Sequence, residues 1–262
     1  MSKSILALAT GIATLAGAFL STPASAAPLL GEYSVTHCCG SSDGAQFGAA
    51  ANGLGYAGQV NPNALNNVDV IVAGAYASQF TSWVAAGGAL IIHDWFGNST
   101  SLLPGMHVTS VGGTGSNVDV VDPASPIVNG PFGTLTNTNM DGGNSSVHGA
   151  VGIASLTSND PLVSDIHAIL NNGTAGQIAE FSYRYGQGLI IYAFMPTDAY
   201  SGSSPFQTGG TAGLNMLAKN EIAFAASFDA APAADVPEPA SLGLIGLGTL
   251  ALAAARRRKN AR

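Results

Sequence analysis

The chain predicts an α/β domain with a mostly parallel sheet flanked by helices. Two runs, residues 68–73 and 89–92, are apolar almost throughout, the pattern of strands buried on both faces. Between them lies a segment with helical spacing, and a second helical stripe closes the domain at residues 214–228. Strand, helix, strand in this order is how a parallel pair is connected.

Taken in order, residues 33–36 read as a first short strand, with His37-Cys38-Cys39-Gly40 as the turn behind it. Residues 46–54 are alanine-rich and helical in pattern, weakened by Gly48 and Gly53. In residues 78–86, Phe80, Trp83 and Val84 recur at helical spacing, and Gly87-Gly88 supplies the stop. Residues 97–161 are rich in Gly, Ser and Asn, with short strands predicted at 118–121 and 152–156; loops this long are often functional. Residues 177–185 and 188–194 flank Gly186-Gln187-Gly188 as the arms of a hairpin. In the closing helix, Leu214, Leu217, Ala218, Ile222, Ala225 and Phe228 fall on one stripe.

Both ends of the chain stand apart from this domain. Lys3, an apolar run over residues 5–20, and Ala24-Ser25-Ala26 form a secretory signal peptide, residues 1–26. The globular domain then occupies 27–229, an Ala/Pro linker 230–235, and a tripartite tail 236–262. That tail opens with Val236, Pro237, Glu238 and Pro239, continues through the apolar run 240–255, and ends on Arg256, Arg257, Arg258 and Lys259. Sixteen apolar residues make a helix of roughly 24 Å. Snorkelling and local thinning fit such a helix to a hydrocarbon core of about 30 Å. The four cations stay on the cytoplasmic side, which leaves the domain on the far side of the inner membrane.

Charge excludes one class of partner. Residues 27–234 hold two cations, Arg184 and Lys219, against thirteen acids, a formal net charge of −11. No electrostatic footprint for nucleic acid exists in such a domain. Cys38 and Cys39 are adjacent; in an exported chain they are candidates for a vicinal disulfide, with free thiols or bridges to another chain as the alternatives.

The tail resembles the PEP-CTERM sorting signal of Gram-negative bacteria, the substrate of exosortase membrane peptidases. The resemblance implies signal peptidase and exosortase as processing enzymes, a transient membrane anchor, release to the cell surface or beyond, and a link to exopolysaccharide and biofilm. Residues 68–97, carried by Val68-Asp69-Val70-Ile71-Val72 and by Trp83 through Asp94, resemble the class I glutamine amidotransferase-like fold and its ThuA-like branch. That resemblance implies a flavodoxin-like sheet. The amidotransferase pattern places a cysteine nucleophile on the turn after the central strand, where this chain has His93-Asp94.

Ligands of open α/β sheets bind beyond the carboxyl ends of the strands. His37, His93 and Asp94 are therefore the candidate catalytic residues, as a general base pair or as ligands. The competing expectation is that His93 and Asp94 close a strand and bond local backbone. No resident metal or cofactor is expected; calcium is the ion that the oxygen-rich stretch 137–149, with Asp141, Asn144 and His148, would suit, although it lacks EF-hand spacing. The preferred functional reading is an exported, non-catalytic surface or matrix protein. Its rivals are an exported ThuA-like hydrolase or carbohydrate-active protein, and a calcium- or sugar-binding module.

Overall fold

The computed structural model describes residues 27–34, 44–94, 97–115, 117–141, 147–195 and 212–228. The signal peptide, His37, Cys38, Cys39, the linker, the sorting tail and its predicted span 240–255 lie outside them. Among the described residues no helix is long and apolar enough to cross a membrane.

The first half of the chain forms β1 (Leu29–Tyr33), α1 (Gly44–Ala51), β2 (Gly55–Gln59), β3 (Val70–Ala73), α2 (Phe80–Ala85) and β4 (Ala89–His93). The middle adds β5 (Ser110–Gly115), β6 (Asp119–Val120), β7 (Asn129–Gly130), β8 (Gly133–Thr134), α3 (Asn137–Met140) and β9 (Val147–Gly152). The chain then runs through β10 (Val163–Asn171), β11 (Gln177–Tyr185), β12 (Gly188–Ala193) and α4 (Ala212–Ser227).

Ten strands make one sheet, in the order β2-β1-β3-β4-β12-β11-β10-β6, with β9 joining β11 to β5. The five strands β2, β1, β3, β4 and β12 are mutually parallel. The rest are antiparallel, so the sheet is mixed and the expectation of a mostly parallel sheet holds for half of it. Connection length explains the change. Only Gly186-Gln187 separates β11 from β12, and parallel neighbours need a crossover of a dozen residues or more. Gly186 has φ +61°, and a Cβ there would lie 2.7 Å from the Ala85 carbonyl oxygen, so the turn requires glycine.

Several boundaries differ from expectation. The first strand lies at Leu29–Tyr33 rather than 33–36, and Ser34, at φ 49°, turns the chain out of the sheet. Residues 153–155 form a single 3-10 turn, not a strand; the strand precedes it as β9. Strands β2, β5, β7, β8 and β10 and helix α3 lie where the sequence pattern predicts no strand or helix.

Each face of the sheet has its own core. On one face Leu30, Val70, Val72, Ile91, Leu189 and Ile191 pack under Ala45 and Ala49 of α1 and under Leu214, Leu217, Ile222 and Ala225 of α4. On the other, Ile71, Leu90, Ile92, Phe181, Tyr183 and Tyr192 pack under Phe80 and Val84 of α2. Each large side chain buried here contributes about 1.5–3 kcal/mol of transfer free energy. Helices therefore lie on both faces, and α4 is fixed with its buried stripe against the parallel strands.

Candidate functional site

The parallel strands direct the chain into the two residues singled out from sequence. His93 is the last residue of β4, and Asp94 follows it; both are buried. Successive side chains of an extended chain turn to opposite faces, and these two do. His93 turns to the α4 face, where its Nε2 lies 3.1 Å from Glu221 Oε2. Asp94 turns to the α2 face, where its Oδ2 accepts the Ser99 backbone N–H at 2.6 Å and the Tyr192 hydroxyl at 2.8 Å. The two side chains are not brought together.

Asp94 holds a turn. Ser99, whose N–H it accepts, in turn accepts the Tyr76 N–H on its Oγ at 3.0 Å, so one carboxylate ties the loops after β3 and β4. Burial, and then the neighbouring Asp94 charge, push the Tyr192 hydroxyl far above its ordinary range. Tyr192 therefore stays protonated and donates.

On the α4 face a row of three residues crosses the sheet. His93 pairs in register with Ala193 of β12, and Ala193 with Glu180 of β11. The small side chain of Ala193 leaves space between the larger two. Glu221 of α4 meets the His93 end of this row, and both Glu180 and Glu221 are completely buried. Neither carboxyl oxygen of Glu180 has a hydrogen-bond partner among the described residues. Burial, and then the charge of Glu221, raise its pKa well above the ordinary 4.5. That shift favours a protonated, neutral Glu180.

Sequence reasoning found His93 and missed both glutamates. Glu180, Ser182 and Arg184 alternate with Phe181, Tyr183 and Tyr185, which reads as a strand with one wet face. The usable signal was in α4, where Glu221 falls inside the apolar stripe, one position before Ile222 and three after Ala218.

Other polar groups are occupied structurally. Asn220, wholly buried, donates to the carbonyls of Ile127 and Gly133 at 3.0 and 3.1 Å and accepts the Phe132 N–H at 3.1 Å, clasping the β7–β8 hairpin to α4. In the oxygen-rich stretch, Asn137 Oδ1 accepts the Val120 N–H and Asp141 Oδ1 the Val118 N–H. Residues 142–146 of that stretch, with Asn144, lie outside the described residues. Among those described, no group of three or more His, Cys, Asp or Glu residues could hold a metal ion.

At the opposite, amino-terminal edge of β3 and β4 an open groove of about 500 Å³ is lined by Pro28, Val68, Asp69, Trp83 and Phe228 among others. It is remote from His93 and lies at the last turn of α4.

Residues 235–259 match the PEP-CTERM protein-sorting motif. The motif implies export, a transient membrane anchor through the C-terminal region, and exosortase as the processing enzyme. No curated protein matches the chain. Among solved structures, the exo-beta-1,4-mannosidase Op5Man5 from Opitutaceae bacterium strain TAV5 is similar at 13% identity and a TM-score of 0.44, over 77% of this chain and 36% of that one. PurLQS from Thermotoga maritima is similar at 11% and 0.40, over 75% and 97%. The alpha-L-fucosidase isoenzyme 2 from Paenibacillus thiaminolyticus is similar at 14% and 0.40, over 75% and 32%. The chain thus spans about a third of the length of the two glycosidases. Likenesses this distant assign nothing, and the ThuA-like resemblance of residues 68–97 gains no support from them.

Proposed function

We propose that this is an exported, exosortase-processed cell-surface or matrix protein of a Gram-negative bacterium, with a non-catalytic globular domain that serves exopolysaccharide or biofilm. The observation that carries the reading is the sorting motif at 235–259, which begins seven residues after Phe228, the last residue described. The occupied side chains support the non-catalytic part: Asp94 is held by Ser99 and Tyr192, and His93 is paired with a buried acid. The rival reading, a hydrolase working through His93 and Asp94 together, is weaker because the two turn to opposite faces.

A flavodoxin-like arrangement belongs to the same proposal. It is supported by the order β2-β1-β3-β4-β12, which repeats the 2-1-3-4-5 order of that doubly wound class, and by helices on both faces.

Replacing Pro237, Glu238 and Pro239 together by alanine tests the sorting assignment. The expected result is full-length protein retained in the inner membrane; release at the normal rate would overturn it. Co-sedimentation of the released protein with the host's own exopolysaccharide tests the second part, and a protein that stays wholly in the supernatant would remove it.

A further inference from the structure

The groove at the amino-terminal edge of β3 and β4 has a chemistry of its own. Its volume of about 500 Å³ lies within the roughly 300–1,000 Å³ of small-molecule clefts. Two half-buried aromatic rings, Trp83 and Phe228, line it. Trp83 is fixed from two sides. Its indole N–H donates to the Val68 carbonyl at 3.3 Å, and Gly88 lies so close that a Cβ there would sit 2.4–2.6 Å from Cε2, Cδ2 and Cζ2 of the ring. Gly88 has no positive φ, so the ring, not the turn, requires glycine at this position. Phe228 is held in turn by the Arg184 guanidinium, 4.8 Å from the centre of its ring.

The polar groups of the groove accept rather than donate. The backbone N–H groups of Val68, Asp69, Gly87, Gly88 and Ala89 already donate to carbonyls of the protein, as does the Trp83 indole. Among the described residues that line the groove none is cationic. Asp69 is exposed at its rim; Oδ2 accepts the Leu29 N–H at 2.7 Å, and the carboxylate has further lone pairs to give a ligand. A bound molecule must therefore bring the donors. Beside an aromatic ring and a carboxylate, in a domain of formal net charge −11, a positively charged donor is the best complement.

We propose that this groove binds protonated amino sugars, with an apolar sugar face on Trp83 and the ammonium group at Asp69. The inference rests on the exopolysaccharide reading above and narrows it to polysaccharides that carry free amines. Each part of such a sugar has its counterpart. The ring C–H groups meet the indole that Val68 and Gly88 hold in place. The ammonium and hydroxyl groups supply the donors that the groove lacks. Acidic polysaccharides are repelled by a domain of this charge. N-acetylated sugars keep the apolar face but exchange the ammonium for a neutral amide, and so lose the attraction to Asp69.

The test titrates the released, processed protein calorimetrically with a glucosamine oligomer, in mildly acidic buffer at physiological salt, where the sugar amines are protonated. The N-acetylglucosamine oligomer of the same length and polygalacturonate are the comparisons. The glucosamine oligomer is expected to bind and to shift tryptophan fluorescence, with both comparisons weaker by about fivefold or more. Equal binding of the acetylated oligomer would overturn the proposal. Asp69→Asn keeps an acceptor for the Leu29 N–H and removes the charge; it is expected to weaken binding about fivefold. Asp119→Asn removes the same charge from β6, at the far edge of the sheet, and is expected to leave binding unchanged. An equal loss in both variants would show diffuse attraction to an anionic surface and overturn the groove. Trp83→Leu is expected to weaken binding further; should it fail to fold, the two aspartate variants decide. The two readings fail separately. Co-sedimentation with the host exopolysaccharide without oligomer binding removes the groove and leaves the matrix reading. Oligomer binding that Asp69→Asn weakens, without co-sedimentation, removes the matrix reading and leaves the groove.

Discussion

His93 Nε2 and Glu221 Oε2 lie 3.1 Å apart across 128 residues of chain, and both side chains are buried. This contact ties the carboxyl end of the central strand to the closing helix. Removing one partner from a buried pair costs about 3–5 kcal/mol, because the other is left uncompensated. Glu221→Leu and His93→Leu are each expected to destabilise by up to that amount. The double variant His93→Leu with Glu221→Leu should lose less than the sum of the two single changes. Chemical denaturation of all four proteins in a double-mutant cycle measures the difference.

Asn220 satisfies three backbone groups from the segment 127–133 at once. Asn220→Ala orphans two carbonyls and one N–H in the interior, at about 1–3 kcal/mol for each that water cannot reach. A fall in thermal midpoint is expected, with hydrogen exchange quickening first at the N–H of Phe132.

The turn between β11 and β12 depends on Gly186. Alanine there meets both the positive φ and the Ala85 carbonyl, so Gly186→Ala should destabilise by about 1–3 kcal/mol. Gly53 provides the control. It has φ +69° but nothing within 4 Å of an added Cβ, so Gly53→Ala should cost only the backbone strain, about 1–2 kcal/mol. Urea unfolding of the two variants separates steric from conformational cost.

Tyr183 and Tyr192 both carry hydroxyls pushed well above the ordinary 10.0, by burial first. A phenol whose folded pKa is raised contributes stability that is complete below 10 and is lost as pH climbs through the folded value. Phenolate absorbance should therefore appear for these two only together with loss of the far-ultraviolet helix and sheet signal. Phenolate formed on a fully folded protein would contradict the burial described.

Much of the parallel half was readable because its strands are buried on both faces. Val70-Ile71-Val72 and Leu90-Ile91-Ile92 have no polar face to disguise them. The strands of the antiparallel half are shorter, glycine-rich or alternating, and depend on partners distant in sequence. β5, with three glycines in six residues, is a strand only because β9 pairs with it. The same limit applied at the site. His93 was visible by its place at the end of an apolar run, whereas Glu180 becomes an interior residue only when elements distant in sequence cover its face. Nothing local distinguishes such a glutamate from one in water.

The course of α4 has a consequence for presentation. The helix begins after residues that follow the carboxyl end of β12 and finishes beside Pro28, Val68 and Trp83, at the opposite rim of the sheet. Eleven residues separate Phe228 from Ala240, a leash of roughly 38 Å at full stretch. That is no longer than a body of this size is wide, about 40 Å. The rim bearing Pro28 and Phe228 is thus the one from which the chain departs towards the sorting motif. The rim bearing His93, where the parallel strands end, lies at the other end of the sheet, away from that point of departure.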